Sequence, residues 1–214
     1  RVRSSAASDV YKRQIITCTL TTRLKDHAKM SAQAAFRTKV LFDTNQLLQK
    51  AKSEEEIFSL TASQLMKLLN RSLIVYLEQN GGLGAEQVFG VDGETAQNIF
   101  SAPEERDAAN WTFANKKRSG AGTDSYPDAK GLYLALRTGG GVFGVIGIDL
   151  SEKPLDAFEN SVLLSILGEG ALAIENRRNA LEKEQATVQA KNEELRANLL
   201  RTISHDLRTP LTSI

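Results

Sequence analysis

The chain has 214 residues, of which 41% are hydrophobic and 25% are charged, and its formal net charge is +1. That length holds one compact domain of ordinary size plus extended helical segments, and the near-neutral charge argues against nucleic acid as a partner. The single cysteine, Cys18, excludes an internal disulfide, and the second histidine, His27, has no metal-ligand spacing to His205. We therefore expect no metal site and a reducing, cytoplasmic compartment.

The N-terminal residues 1–14 are rich in Ser, Ala and Arg without an apolar period, and we predict that they are disordered or not native sequence. Residues 15–20 form a short apolar run that several Lys and Arg residues follow. Such a run is typical of a short strand or a hydrophobic edge. It is also similar to the last turns of a membrane helix on the cytoplasmic side, where Lys and Arg accumulate. We take residues 15–30 as a membrane-proximal segment.

Two helices and a strand are predicted next. Residues 30–52 contain spaced apolar positions without Gly or Pro, a helix pattern. Residues 53–56, Ser-Glu-Glu-Glu, form a capping box that opens a second helix. From residue 72 to 79 the apolar period changes from 3.6 to 2, which indicates a strand ended by Asn80 and two glycines.

The middle of the chain is predicted to hold a shorter strand at residues 87–91 and one or two helices within residues 96–117. We interpret Trp111 and Phe113 as core residues of the second helix. The polar loop at residues 119–130 is compatible with a ligand pocket or with simple turns, and its Gly, Asp, Ser and Pro content favours turns. No residue of this region is assigned to a ligand.

A hairpin and a long helix complete the pattern. One strand is predicted from the alternation of Leu132, Leu134 and Leu136, and residues 139–141 form a Gly-Gly-Gly turn. The returning strand carries Val142, Ile146 and Ile148 on one face. From about residue 154 the helical period continues to the end, and this helix contains small residues that suit close helix contact, at Gly168, Gly170, Ala171 and Ala173. This order predicts an α+β fold, an antiparallel sheet with helices packed on it, followed by a long helix.

The same order of elements resembles a GAF domain, a small-molecule sensor module of signalling proteins. Five segments make the resemblance sharper, because they are similar to the cytoplasmic GAF region of the KdpD family of potassium-responsive sensor kinases: residues 26–31, 44–51, 111–115, 120–124 and 131–134. The resemblance places the sensor domain at residues 31–178. It implies a parent protein anchored in the membrane, with this part on the cytoplasmic side.

Residues 179–214 are predicted to be a signalling helix and the start of a dimerisation domain. Leu181, Val188, Leu195 and Leu199 recur at heptad-like spacing with a charged remainder. A single solvated helix has no need of such a stripe, so we predict a parallel homodimeric coiled coil.

Residues 200–211, Leu-Arg-Thr-Ile-Ser-His-Asp-Leu-Arg-Thr-Pro-Leu, resemble the phosphoacceptor box of sensor histidine kinases. On a helix, His205 points roughly opposite the apolar stripe, Thr209 lies one turn further on, and Pro210 favours a bend. Asp206 is adjacent, where a carboxylate assists the imidazole. The resemblance implies that His205 accepts a phosphoryl group, that Asp206 assists as acid or base, and that Thr209 positions water for dephosphorylation.

That resemblance also implies ATP with magnesium, bound by a domain that this sequence does not contain, and a response regulator whose aspartate receives the phosphate. We expect the 214 residues alone to be inactive. The alternative is a stand-alone GAF module that binds a small molecule or dimerises; the proline after the histidine argues against it, since a pure dimerisation helix needs none. A GAF-containing phosphodiesterase would need a metal-binding cluster, which two distant histidines do not supply.

Overall fold

The chain alternates between helices and antiparallel strands. The computed structural model describes the backbone of residues 2–90 and 93–211 and the side chains of residues 23–25, 27–90, 96–201 and 203. The elements in chain order are α1 (Val2–Leu48), α2 (Glu54–Leu69), β1 (Leu73–Gln79), β2 (Gly82–Phe89), α3 (Gly93–Ile99), α4 (Pro103–Asn115), β3 (Ser119–Gly120), β4 (Gly131–Arg137), β5 (Val142–Asp149) and α5 (Ala157–Leu211).

One antiparallel sheet with the strand order β2-β1-β5-β4-β3 forms the centre of the fold. The period of two in β1 divides its side chains between two cores. Leu73 and Val75 join the larger core, under α2 and α5, whereas Ile74 and Tyr76 join the smaller one, under α4. The predicted α+β class, with helices packed on an antiparallel sheet and a long helix after it, is confirmed.

The returning hairpin strand differs in detail from its prediction. Phe143, and not Val142, joins Ile146 and Ile148 in the larger core. The β4–β5 register shifts between Leu136 and Arg137, and a bulge of this kind moves one side chain to the other face. The Gly-Gly-Gly turn is confirmed, because the Thr138 amide donates to the Gly141 carbonyl at 3.0 Å across it.

Strand β2 begins at Gly82, five positions before the predicted residue 87. It lies at the edge of the sheet, and its side chains from Gly82 to Phe89 are exposed or only half-buried. Residues at such an edge need no alternating apolar pattern, because backbone pairing with β1 holds them.

The predicted capping box at the start of α2 is confirmed. Ser53 accepts a hydrogen bond from the Glu56 amide at 3.2 Å, and the Glu56 carboxylate accepts one from the Lys52 amide at 2.7 Å. The first bond satisfies an amide that the first helical turn leaves free, and the second holds the residue that precedes the cap. The helix then buries Ile57, Leu65 and other apolar residues against the sheet.

The small residues of α5 allow a close approach to α2 at one position. A Cβ on Gly170 would lie 2.7 Å from the Thr61 hydroxyl oxygen, so any larger residue there would push the helices apart. Ala171 is fully buried, whereas a Cβ on Gly168 would meet nothing within 4 Å. The prediction of close contact therefore holds at Gly170 and fails at Gly168.

The N-terminal segment is helical where disorder was predicted, since α1 begins at Val2. Residues 2–14 contain no Gly or Pro and include Ala, Arg, Lys and Gln, which favour helix without needing an apolar period. The strand interpretation of residues 15–20 is likewise replaced by helix. Whether residues 1–14 are native, and whether residues 15–30 leave a membrane, stay predictions.

Among the described residues, one helix passes the length and composition test for a membrane span, namely α5 within residues 157–201. Its first part supplies buried core residues such as Leu163, Ile166 and Ile174. A core helix passes the same test, so this finding is weak support for a membrane span.

The smaller core is organised around a buried carboxylate. Glu105 is 1% exposed and accepts hydrogen bonds from the Lys130 amide at 2.6 Å, the Gly131 amide at 3.1 Å and the Tyr133 hydroxyl at 2.7 Å. Tyr76 lies beside this group, with the Arg106 guanidinium 4.6 Å from its ring centre. Sequence patterns did not indicate this network, because Glu105 occupies a position typical of a solvated first helical turn.

We expect the folded chain to lose stability above pH 10. Burial, followed by the nearby Glu86 carboxylate, raises the pKa of Tyr76 to about 12. Burial and its hydrogen bond to Glu105 also raise the pKa of Tyr133. A tyrosine whose pKa is raised by folding contributes its full stabilisation below the pKa of the unfolded chain, about 10. As the pH rises from 10 towards 12, the free energy of unfolding falls by about 1.4 kcal/mol per pH unit for each such tyrosine.

Denaturant unfolding between pH 9 and about 11.5, with tyrosinate absorbance read in parallel, measures the effect. Tyr76→Phe removes one of the two ionisations, so its unfolding free energy should fall less steeply with pH. Equal slopes in the two proteins would contradict the assignment.

Candidate functional site

Helix α5 connects the folded core to residues 200–211 without a break. It begins with an N-terminal cap, in which Asp156 accepts from the Glu159 amide at 2.7 Å and Glu159 accepts from the Asp156 amide at 2.9 Å. Residues 179–201 of the same helix are exposed. One rigid element therefore carries both the core contacts and the candidate site.

The backbone of α5 remains helical through His205, Asp206, Thr209 and Pro210 to Leu211. At about 1.5 Å per residue, His205 lies about 40 Å further along the helix than Arg178. The side chains of residues 204–211 lie outside the described residues. Their predicted directions, and the bend at Pro210, therefore stay predictions.

The predicted heptad stripe is exposed in the single chain. Leu181, Val188, Leu195 and Leu199 are between 38% and 63% exposed, and Ile203 on the same stripe is 47% exposed. Large apolar side chains that remain exposed to water contribute little to the stability of a single helix. The stripe thus provides the apolar surface that the predicted coiled coil requires, while dimerisation itself stays a prediction.

An ion-pair junction lies where α5 leaves the domain. Arg178 donates three hydrogen bonds to the Glu54 carboxylate, two from Nε at 2.9 and 3.0 Å and one from Nη2 at 2.8 Å. Its Nη2 also lies 3.3 Å from Glu78 Oε2. Its guanidinium also stands 5.0 Å from the centre of the Phe143 ring. These bonds, the one to Glu54 first, raise the pKa of Arg178 further. The junction joins α5 to α2, β1 and β5.

No sequence pattern indicates Arg178, because its partners lie 124 and 100 positions away along the chain. A neighbouring bond, from the Thr138 hydroxyl to the Glu175 carboxylate at 2.8 Å, ties the β4–β5 hairpin to the same part of α5. Sheet and exit helix are therefore joined by several polar contacts.

Helices α1 and α5 run parallel along the domain. Phe36 packs on Phe158 with ring centres 6.1 Å apart, and Asn45 donates to the Glu169 carboxylate at 3.0 Å. The residue numbers of these contact pairs rise together along both helices, so α1 and α5 run in the same direction. The chain therefore enters the domain along α1 and leaves it along α5 in the same direction.

Trp111 was predicted to be a core residue, but its side chain lies at a cavity and not in the core. It is half-buried and lines an open cavity together with residues 122–125 of the polar loop. The buried face of α4 instead carries Glu105, Ala108, Ala109 and Thr112. Phe113 is half-buried and packs on the smaller core, as predicted.

The polar loop makes turns and also borders this cavity. The Thr123 hydroxyl lies 2.8 Å from the Gly120 carbonyl oxygen and 2.9 Å from that of Ser125. In the part of the chain whose side chains are described, no group of three or more His, Cys, Asp or Glu residues is placed to hold a metal. His27 is exposed on α1, and the side chain of Cys18 lies outside the described residues.

Comparison with curated proteins gives sequence relatives over most of the chain. The sensor protein KdpD of Clostridium acetobutylicum is 34% identical over 196 residues, which is 91% of this chain and 22% of that protein. KdpD of Escherichia coli is 27% identical over 90% of this chain and 21% of its own length. The chain thus spans about a fifth of the curated relatives it matches.

Solved structures give the fold. A GAF domain from Pseudomonas syringae pv. tomato superposes with a TM-score of 0.50 at 18% identity, over 74% of this chain and 97% of that one. The GAF domain of the potassium sensor histidine kinase KdpD from Escherichia coli gives a TM-score of 0.49 at 17% identity, over 68% and 98% of the two chains. No family model matches the sequence. On its sequence relatives, the chain belongs to the KdpD family of sensor proteins, of which it spans the GAF domain and the helix that follows.

Proposed function

We propose that this chain is the signal-input and phosphoacceptor part of a two-component sensor histidine kinase. The observation that carries the proposal is the phosphoacceptor box at residues 200–211, which lies on the helix that leaves the GAF core of a KdpD-family chain. In this function His205 takes a phosphoryl group from ATP and passes it to an aspartate of a response regulator.

The chemistry requires a neutral imidazole and a group that steadies it. One ring nitrogen of His205 attacks the γ-phosphorus, the bond to the β-phosphate oxygen breaks, and ADP leaves. Asp206 accepts or stabilises the proton on the second nitrogen. In the next step a regulator carboxylate attacks phosphorus and the N–P bond breaks. Thr209, one turn along the helix, positions water when the regulator is dephosphorylated.

ATP and magnesium are supplied by a nucleotide-binding domain of the parent protein, and the chain alone is inactive. The exposed stripe pairs two copies through a parallel coiled coil, and the parent is anchored in the cell membrane with this part on the cytoplasmic side. Potassium or osmotic stress is the proposed stimulus, in line with the resemblance to the KdpD family.

Signal passes from the GAF domain to His205 along α5. The domain contacts α5 at two places, through the parallel helix α1 and through the junction at Arg178. A change in the domain then rotates or shifts α5 and moves His205 relative to the nucleotide-binding domain. A rigid helix transmits such a movement over the distance between them.

The test is a transfer assay. The chain is mixed with a separately supplied ATP-binding domain and with ATP labelled on the γ-phosphate, with magnesium present. We expect label on the chain that acid removes and alkali does not, as for a phosphoryl group on nitrogen, and no label when the ATP-binding domain is left out. Label that survives acid would place the phosphate on oxygen and contradict the proposal. A chain that never takes up label would favour the stand-alone GAF module instead.

A further inference from the structure

An open cavity lies at the β3 edge of the sheet, away from α5's exposed end. Its walls are Trp111 at the end of α4, the following residues 116–118, loop residues 122–125 and Arg137 at the end of β4. Its volume is about 760 Å³, which is within the range of small-molecule sites.

The walls are strongly basic. Lys116, Lys117, Arg118 and Arg137 line the cavity, against the single carboxylate of Asp124. The same four cations line a second depression of about 230 Å³ on their other side, together with apolar residues of β4 and α5. A chain of net charge +1 does not need such a concentration of positive charge for solubility.

These four cations lack partners within the structure. Elsewhere in the domain, Arg71, Arg106 and Arg178 each bond to carbonyl or carboxylate oxygens. Among the described residues, the side chains of Lys116, Lys117, Arg118 and Arg137 make no hydrogen bond or ion pair. Like charges grouped on adjacent segments repel each other, and a bound anion removes that cost.

The backbone that carries the cluster is fixed. Lys116 is in the left-handed region at φ 58° and its amide donates to the Thr112 carbonyl. Three residues on, the Ser119 hydroxyl donates to the Ala108 carbonyl at 2.8 Å. Gly120, at φ +91°, closes against the Gly131 carbonyl, where a Cβ would be only 2.0 Å away. The cations therefore start from a preformed loop.

We propose that this cavity binds a small, soluble organic phosphate, whose phosphate groups lie among the four cations and whose planar part packs on Trp111. Lys and Arg are the usual partners of phosphate oxygens, and a half-buried indole offers a flat apolar surface beside them. This proposal does not depend on whether His205 accepts a phosphoryl group, because none of the residues that line the cavity belongs to α5.

The chain itself supplies the reporter. Trp111 is its one tryptophan, so intrinsic fluorescence reads this cavity directly. Titration of the chain with inorganic pyrophosphate and with AMP should give saturable fluorescence changes, the larger one with AMP because its ring contacts the indole. Replacing Arg118 and Arg137 by Gln should weaken both affinities by about tenfold or more, as expected for lost charge-assisted contacts.

The matched control removes the same charge elsewhere. Lys191→Gln with Arg196→Gln alters two exposed cations on α5 and should leave both affinities within about twofold. Circular dichroism melting verifies that each variant is folded. An equal loss in the control would show general charge attraction and overturn the site, as would an unsaturable titration. A fluorescence change with phosphatidylglycerol vesicles but none with pyrophosphate or AMP would replace the soluble ligand by a lipid surface and also overturn it.

Discussion

In the full-length protein, the proposed function predicts that His205→Gln abolishes transfer of label from ATP, a loss of at least about 10³-fold. Removal of the nucleophile eliminates the covalent step itself, so no labelled intermediate can form on the histidine. Glutamine keeps a polar side chain of helical character, so the variant tests chemistry with little effect on folding. Radiolabel on the protein, measured with the intact nucleotide-binding domain, gives the result.

Two neighbouring variants separate the roles along the helix. Asp206→Asn should slow labelling by about 10² to 10⁴-fold, the usual contribution of a group that moves a proton. Thr209→Ala should leave labelling intact and slow only the dephosphorylation of the regulator. Equal labelling of wild type and His205→Gln would place the acceptor elsewhere and remove the basis of the proposed function.

The elements that the sequence predicted well are those whose pattern is local. Ser53 and Glu56 lie three positions apart and cap α2 within one turn. The alternation of Leu73 and Val75 with Ile74 and Tyr76 identified strand β1, because each face of the strand meets its own apolar layer. Periodicity reports on burial, and it succeeds where burial follows the period.

The misses depend on contacts between distant parts of the chain. Strand β2 is held by backbone pairing at an edge, so its side chains carry little signal. Phe143 reaches the larger core through a bulge that only the β4–β5 register reveals. Arg178 and Glu105 are polar residues whose partners are known only after folding. Trp111 was assigned to the core on its apolar character, although its place at the end of α4 leaves one side at a cavity.

For the candidate site, the motif at residues 200–211 predicts His205 from the sequence alone, and that assignment stays a prediction. The structure adds the contacts between the domain and the helix that carries the motif. The parallel course of α1 and α5 and the junction at Arg178 were not predictable, since each rests on pairs of residues 100 or more positions apart. These contacts are what relate the GAF domain to the helix that bears the histidine.

The second large effect is expected from changing the phase of that helix. Four residues are inserted after Gln189. This point lies within the exposed part of α5, so the insertion leaves every core contact in place. It rotates everything downstream by about 40° and moves it by about 6 Å along the axis, which interrupts the heptad seam. With His205 as the proposed acceptor and potassium as the proposed stimulus, we expect labelling of the full-length protein to lose most of its dependence on potassium.

A seven-residue insertion at the same point is the matched control, because it moves His205 further, by about 10 Å, but keeps the heptad phase. If the GAF domain acts through rotation of a paired helix, the seven-residue variant should keep its response to potassium while the four-residue variant loses it. Loss in both would mean that distance and not phase carries the signal. A normal response in both would mean that the signal does not travel along α5, and the contacts at Arg178 and Asn45 would then serve only the stability of the domain.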